Sequence, residues 1–214
     1  MNTELDNLVE LIKEKIMANL DRKKDIKKIP IEGSGRHVHL SKEDMEKLFG
    51  ENYKFTVLKE LSQPGQVAYK ERVRLIGPKG VIEGVVILGP AREKTQVELS
   101  LTDGRLLGVK GVLRESGKIE NTPGIILSNG KNFIEIKEGV IVAKNHIHMN
   151  EEEAKELNVK DKDLVKIKVH SERPVIFEDV LIRVNKNFKL SMHIDYDEGN
   201  SCMLDKDSYG VIYE

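Results

Sequence analysis

Two short stretches of the chain carry the residues best suited to metal chemistry: Arg36-His37-Val38-His39-Leu40-Ser41 and Asn145-His146-Ile147-His148-Met149-Asn150. Four of the six histidines lie in these two His-x-His pairs. In an extended strand residues i and i+2 point to the same side. Each pair therefore presents two imidazoles in one direction, a geometry that a divalent cation bridges. A single His-x-His pair also occurs on ordinary exposed strands. Here, however, the histidines recur after 109 residues (146 − 37), and so does the polar residue that follows them (150 − 41). The two copies are in register without a gap, which marks an internal duplication.

Each half offers a third ligand. Leu190, Met192, Ile194 and Tyr196 alternate with Ser191, His193 and Asp195, and Val97, Leu99 and Leu101 alternate with Gln96, Glu98 and Ser100. Both runs lead to an acid-glycine pair, Asp103-Gly104 and Glu198-Gly199, read as turns. Aligning the two turns sets Glu98 against His193. From the histidine pair to this residue is 59 residues in the first half (98 − 39) and 45 in the second (193 − 148). The first half thus carries an insertion, with Ala68 to Gly80 as the candidate segment and Pro78-Gly80 as its turn. Three His or carboxylate ligands with an open fourth position are the pattern of a catalytic zinc. Five His and one Glu suit zinc or another borderline metal better than calcium or magnesium. His170 falls outside the pattern and reads as an exposed strand-end residue.

The elements that position these residues repeat as well. An apolar strand-like run precedes each pair, Ile29-Pro30-Ile31 and Gly139-Val140-Ile141-Val142-Ala143. A capped helix follows each, from Ser41 to Gly50 and from Asn150 to Asn158. Short strands fill the rest: Phe55–Leu58, Arg72–Ile76, Val85–Leu88, Leu164–Val169 and Val180–Val184, with an Asn129-Gly130 hairpin between Ile125 and Ile136. Many short strands at this spacing predict barrels rather than an open parallel sheet. With no Trp and an aromatic share of 5%, the core must be aliphatic. Residues 3–20 have the periodicity of an amphipathic helix (Leu5, Leu8, Val9, Ile12, Ile16, Leu20), followed by a charged linker to Lys28. A net charge of −1 gives no footprint for nucleic acid. The single cysteine, Cys202, excludes an intrachain disulfide framework and suits a reducing cytosol. No apolar run approaches the roughly 18 residues of a membrane span, and no secretory signal is present.

From about Ile29 onward the sequence resembles the PduL-type phosphotransacylases, the phosphate propanoyltransferases of bacterial microcompartments and their acetate-forming relatives. The motifs that carry the resemblance are Gly35-Arg36-His37-Val38-His39-Leu40-Ser41, Leu61-Ser62-Gln63-Pro64-Gly65-Gln66, Gly77-Pro78-Lys79-Gly80, Ile87-Leu88-Gly89-Pro90-Ala91-Arg92, Thr95-Gln96-Val97-Glu98, Glu138 to Ala143, His146-Ile147-His148-Met149 and Met192-His193-Ile194-Asp195. Gly35 departs from the family, where many members carry Ala.

The resemblance implies a mainly β fold with short helices: two β-barrel domains related by duplication, plus the N-terminal amphipathic helix. Residues 1–25 would be helix and linker, 26–35 with 144–214 one barrel, and 36–143 the other, with a two-stranded lid near 68–80. It implies a dinuclear zinc site on His37, His39, Glu98, His146, His148 and His193, with Arg92 as the phosphate-binding arginine. The implied reaction joins a short-chain acyl-CoA and phosphate to give acyl phosphate and CoA, reversibly. CoA thiolate is a fair leaving group, so neither Cys202 nor another protein nucleophile is required. Arg36 and Lys59 are candidates for the phosphates of coenzyme A, and Gln66 for a contact near the site. Some relatives use a short amphipathic helix to enter a microcompartment shell. Residues 3–20 fit that role in the microcompartment lumen, or packing on the mate of a cytoplasmic homo-oligomer. The competing readings are a dinuclear metal-dependent thioester or ester hydrolase and a barrel with structural metal. Six ligands for two metals leave open positions, which argues against the second.

Overall fold

The structure is a computed structural model that describes residues 8–13 and 27–213. Within the helix expected over 3–20, α1 (residues 8–13) is helical and exposes Leu8, Val9, Leu11 and Ile12. The rest of that helix, and the linker up to residue 26, lie outside the described residues.

From there the chain is strands with four short helices. In order it runs β1 (Ile29–Gly33), β2 (His37–Ser41), α2 (Lys42–Phe49), β3 (Val57–Glu60), β4 (Val67–Ile76), β5 (Val81–Arg92), β6 (Gln96–Glu98) and α3 (Leu101–Leu107). It continues with β7 (Leu113–Arg114), β8 (Ile125–Ser128), β9 (Phe133–Ile136), β10 (Val140–Ala143), β11 (His146–Met149) and α4 (Glu151–Glu156). The chain ends with β12 (Leu164–His170), β13 (Val175–Val184), β14 (Ser191–Ile194), α5 (Tyr196–Ser201) and β15 (Tyr209–Tyr213). Six strands close a barrel in the order β1-β14-β11-β13-β12-β15. The others form a curled nine-stranded sheet, β7-β10-β6-β2-β5-β4-β8-β9, with β3 on β4.

The duplication is explicit in the strand register. In the sheet, β2 lies between β5 (parallel, His37 opposite Val86) and β6 (antiparallel, His37 opposite Glu98). In the barrel, β11 lies between β13 (parallel, His146 opposite Leu181) and β14 (antiparallel, His146 opposite His193). The strands that feed the histidines are exchanged. β1 leads into β2 of the sheet but pairs with β14 of the barrel, and β10 leads into β11 of the barrel but pairs with β6 of the sheet. Period-2 alternation does the sorting. Val38 and Leu40 enter the core of the sheet, Ile147 and Met149 that of the barrel, and all four are fully buried. The histidines turn to the opposite faces. Both cores are aliphatic, as the composition requires.

Three readings from the sequence are corrected. Asp103-Gly104 and Glu198-Gly199 are not turns but the first turns of α3 and α5. Ser100 with Asp103, and Asp195 with Glu198, form capping boxes. The equivalence of Glu98 and His193 that they suggested is nevertheless the one the register gives. Residues 68–80 overlap the insertion only at their start. They are mostly β4, paired to β5 and β8, with Ala68, Val73 and Leu75 in the core. The extra length lies earlier. Arg72 faces Val86 as Leu164 faces Leu181, yet His39 to Arg72 spans 33 residues (72 − 39) where His148 to Leu164 spans 16 (164 − 148). The insertion is therefore β3, the 61–66 turn and the start of β4. His170 ends β12 as expected, but it is half-buried, stacked on Tyr209 with ring centroids 4.8 Å apart.

Candidate metal centre

Cross-strand register brings the six expected ligands into two triads, His37/His39/Glu98 on the sheet and His146/His148/His193 on the barrel. In each triad one ligand atom per residue lies within 4.8 Å of the others. Both triads open into one cavity of about 460 Å³. The nitrogens are aimed by the backbone. His37 Nδ1 donates to Gly35 O and His146 Nδ1 to Lys144 O, each at 2.8 Å, which leaves both Nε2 lone pairs free for a ligand. Among the described residues, Glu98 takes its short hydrogen bonds on one oxygen. Its Oε1 accepts from Gln96 (2.6 Å) and Ser116 (2.7 Å), while Oε2 faces His37 Nε2 at 3.5 Å.

The electrostatics fit a cation. Burial, then the neighbouring imidazoles and arginines, depress His39 and His148 to about 2 and His146 to about 4. Burial likewise lowers His193. These rings are neutral lone-pair donors at physiological pH. At Glu98 burial would raise the pKa, but His37, His39 and the Ser116 hydrogen bond hold the carboxyl well below its ordinary range. Burial lowers His37, and the charge and hydrogen bond of Glu98 outweigh it, so its pKa is raised. His148 Nδ1 is buried without a hydrogen-bond partner among the described residues. An orphaned buried nitrogen costs about 1–3 kcal/mol, which a bound cation would relieve. The donor set of imidazole and carboxylate suits zinc.

Arg92 reaches the site through a register shift. Between His39/Leu88 and Ser41/Arg92, β5 advances four residues while β2 advances two, a bulge that re-aims the side chain. Its Nη2 donates to His39 Nε2 (2.8 Å) and its Nη1 to Ser116 (3.1 Å). Arg36, Lys59 and Gln66 all line the cavity. The guanidinium of Arg36 is already engaged, with Nε and Nη2 on the Asp103 carboxylate at 3.1 and 2.8 Å. The barrel's counterpart of that pair is Asn145 donating to Glu198 (2.8 Å). One further positive group lines the cavity and was not found from the sequence. Arg183 stands opposite His148 on β13 and lines the same wall. Nothing near it in sequence signals this; only the pairing of β11 with β13 does. Gly35 abuts Tyr196, where an added Cβ would come within 2.3 Å of the ring, so the departure from Ala is matched by the tyrosine filling that space. Cys202 is fully buried in the barrel core and donates to Gly199 O.

A family model described as phosphate propanoyltransferase matches residues 30–205. Curated relatives carry the same name. The chain is 60% identical to the phosphate propanoyltransferase of Leptotrichia buccalis over 92% of this chain and 93% of the relative. It is 50% identical to that of Clostridioides difficile over 97% and 98%. It is 55% identical to that of Thermotoga maritima over 85% and 87%. With the fold, the paired triads and this coverage together, the chain belongs to the phosphate propanoyltransferase family of acyltransferases.

Proposed function

We propose that the protein interconverts a short-chain acyl-CoA (propanoyl or acetyl) and phosphate with acyl phosphate and CoA, using two zinc ions and no covalent enzyme intermediate. The observation that carries the reading is the convergence of two triads and two arginines on one cavity. His37, His39 and Glu98 would hold one ion, and His146, His148 and His193 the other. When bound, zinc supplies Lewis-acid polarisation of phosphate and thioester oxygens. The protein's own groups do the rest. Arg92 and Arg183 hold the phosphate dianion, their planar forks matching two oxygens each. Ser116 anchors Arg92 from behind, and Gln96 and Ser116 keep Glu98 from rotating. The phosphate oxygen forms the new bond to the acyl carbon. The C–S bond breaks with its electron pair on the CoA sulfur. Arg36, held by Asp103, shapes the mouth with Tyr196 more than it competes for a free anion, whereas Lys59 remains open to the coenzyme's phosphates. The burial of Cys202 supports direct transfer to phosphate.

The test is release of CoA thiol from propanoyl-CoA with and without phosphate, alongside metal analysis. A transacylase releases thiol only with phosphate and holds two zinc ions per chain. Phosphate-independent release would establish the hydrolase instead. We further read the chain as two lobes, residues 26–35 with 144–214 and residues 36–143. Residues 3–20 are read as a docking helix, for a microcompartment shell or for a second copy of the chain; the exposed apolar residues of α1 support this. Deleting residues 1–24 and measuring shell entry and oligomeric state separates the two partners.

A further inference from the structure

We propose that the inserted β3–β4 hairpin is a strut from the sheet to the barrel, whose tip sets the ring of His193 through Gln63 and Ser191. Gln63 is 2% exposed, although it sits in a turn. Its amide docks on one backbone residue of the barrel: Oε1 accepts from Lys189 N (3.2 Å) and Nε2 donates to Lys189 O (2.8 Å). This reciprocal pair fixes which end of the amide carries the protons. The second Nε2 proton therefore goes to Ser191 Oγ at 2.9 Å. Ser191 Oγ in turn lies 2.9 Å from His193 Nε2. A serine hydroxyl alone is a free rotor. Gln63 takes one lone pair of the hydroxyl and so limits its rotation; the Glu32 carboxylate, 3.9 Å from His193 Nε2, favours a proton on that nitrogen, which Ser191 Oγ then accepts, so that Nδ1 carries the lone pair that a cation needs. Ser62, the neighbouring tip residue, donates to Glu32 at 2.6 Å, and Glu32 faces His193 across β1 and β14.

The internal duplication explains why a strut is needed here. Ser191 occupies the position of Gln96. Each stands two residues before the third ligand, and each lies opposite the second histidine of its pair. On the sheet Gln96 reaches Glu98 directly and is itself held by Gly117 N at 2.7 Å. On the barrel the shorter serine has no such anchor of its own among the described residues, and the insertion of the other half supplies it. Gln63 and Ser191 are positioning residues. They act on the barrel ligand across the boundary between the two sheets.

The metal readout rests on the two-zinc reading above; a second readout does not. Gln63→Met removes the donor, while Ser191→Ala breaks the chain but leaves the docking of Gln63 on Lys189 intact. In chelator-buffered zinc titrations of the full chain, each variant is expected to weaken one of two sites by ~10–100-fold, the range for partners behind a ligand. The double variant should be no weaker than the worse single. In metal-free protein, ring ¹⁵N shifts of His193 should report one tautomer in the parent and a mixture in both variants. Unchanged affinities with an unchanged tautomer, or equal weakening of both sites, overturn the strut. If the parent binds no zinc but the tautomer responds as described, the metal reading fails and the strut stands.

Discussion

Arg92 and Arg183 show how two identical side chains reach one cavity from positions that the duplication does not equate. Leu88 is the counterpart of Arg183, since they face His39 and His148 respectively, and Arg92 arrives only by the bulge. Losing either guanidinium removes charge-assisted hydrogen bonds worth about 1.5–3 kcal/mol. Arg92→Ala and Arg183→Ala are each expected to raise the phosphate KM by about 10–100-fold with zinc content unchanged. Lysine, a point charge without the fork, should restore only part of it. An unchanged KM would remove that arginine from the phosphate site. Glu198 gives a pH signature. Burial, with Asp195 alongside, raises it to about 7 from an ordinary 4.5. A carboxyl raised in the folded state contributes stability that is complete below about pH 4.5 and is lost as pH rises to about 7. Relative to Glu198→Gln, the unfolding free energy of the parent should fall over that window by on the order of 1–3 kcal/mol; the buried neutral histidines raise both curves over the same range, so the difference between them is what is read. A difference that stays flat or rises with pH would contradict the burial argument. The candidate ligands were legible because their types and spacing are local. Arg183 was not, because only cross-strand pairing puts it beside His148.

The helices that follow the ligand strands end those strands at a fixed point. Asn150 caps α4 with Glu153 returning the bond at 2.9 Å. Asn158, in the left-handed region at φ 53, follows its end. Asn150→Ala should lower unfolding free energy by about 1 kcal/mol, read as a shifted denaturant midpoint at constant slope. No shift would mean that the cap bonds contribute nothing in this context. The caps after the histidine pairs were readable as Ser41-x-x-Asp44 and Asn150-x-x-Glu153. Those of α3 and α5 have the same form, Ser100-x-x-Asp103 and Asp195-x-x-Glu198. There the glycine after each acid drew the reading toward a turn, although each first turn is stabilised by its capping box despite the glycine. The insertion was misplaced for a related reason. Pro78-Gly80 is a strong turn signal, but the β4–β5 hairpin it closes has a counterpart in β12–β13. The true insertion carries a Pro64-Gly65 turn of its own, so punctuation does not tell the two hairpins apart, and it is recognised only once both strand registers are known.

The exchange of β1 and β10 makes the barrel discontinuous in sequence, and this has a consequence for how the chain folds. Residues 144–213 contain five of the six barrel strands. The missing β1 sits between β14 and β15, where Ile31 faces Met192 and Ile29 faces Gly210. Without it both neighbours become open edges with unpaired backbone groups, and the space filled by the fully buried Ile29 is left empty. Losing a buried isoleucine alone costs about 2–5 kcal/mol, a large share of what a domain of this size holds. A polypeptide of residues 144–213 is therefore expected to show no cooperative unfolding transition. The start of β1 lies beside the end of β15, so a short linker can join residue 213 to residue 27. The fused chain, 144–213 followed by 27–35, should regain a cooperative transition and dispersed amide resonances. Five strands that fold without β1, or a fused chain that stays unfolded, would show that the barrel is not the unit that β1 completes. The same exchange ties the two sheets together at residues 34–36 and 144–145, immediately before each histidine pair. The crossings that make the barrel depend on β1 are thus the ones that carry both pairs to the shared cavity.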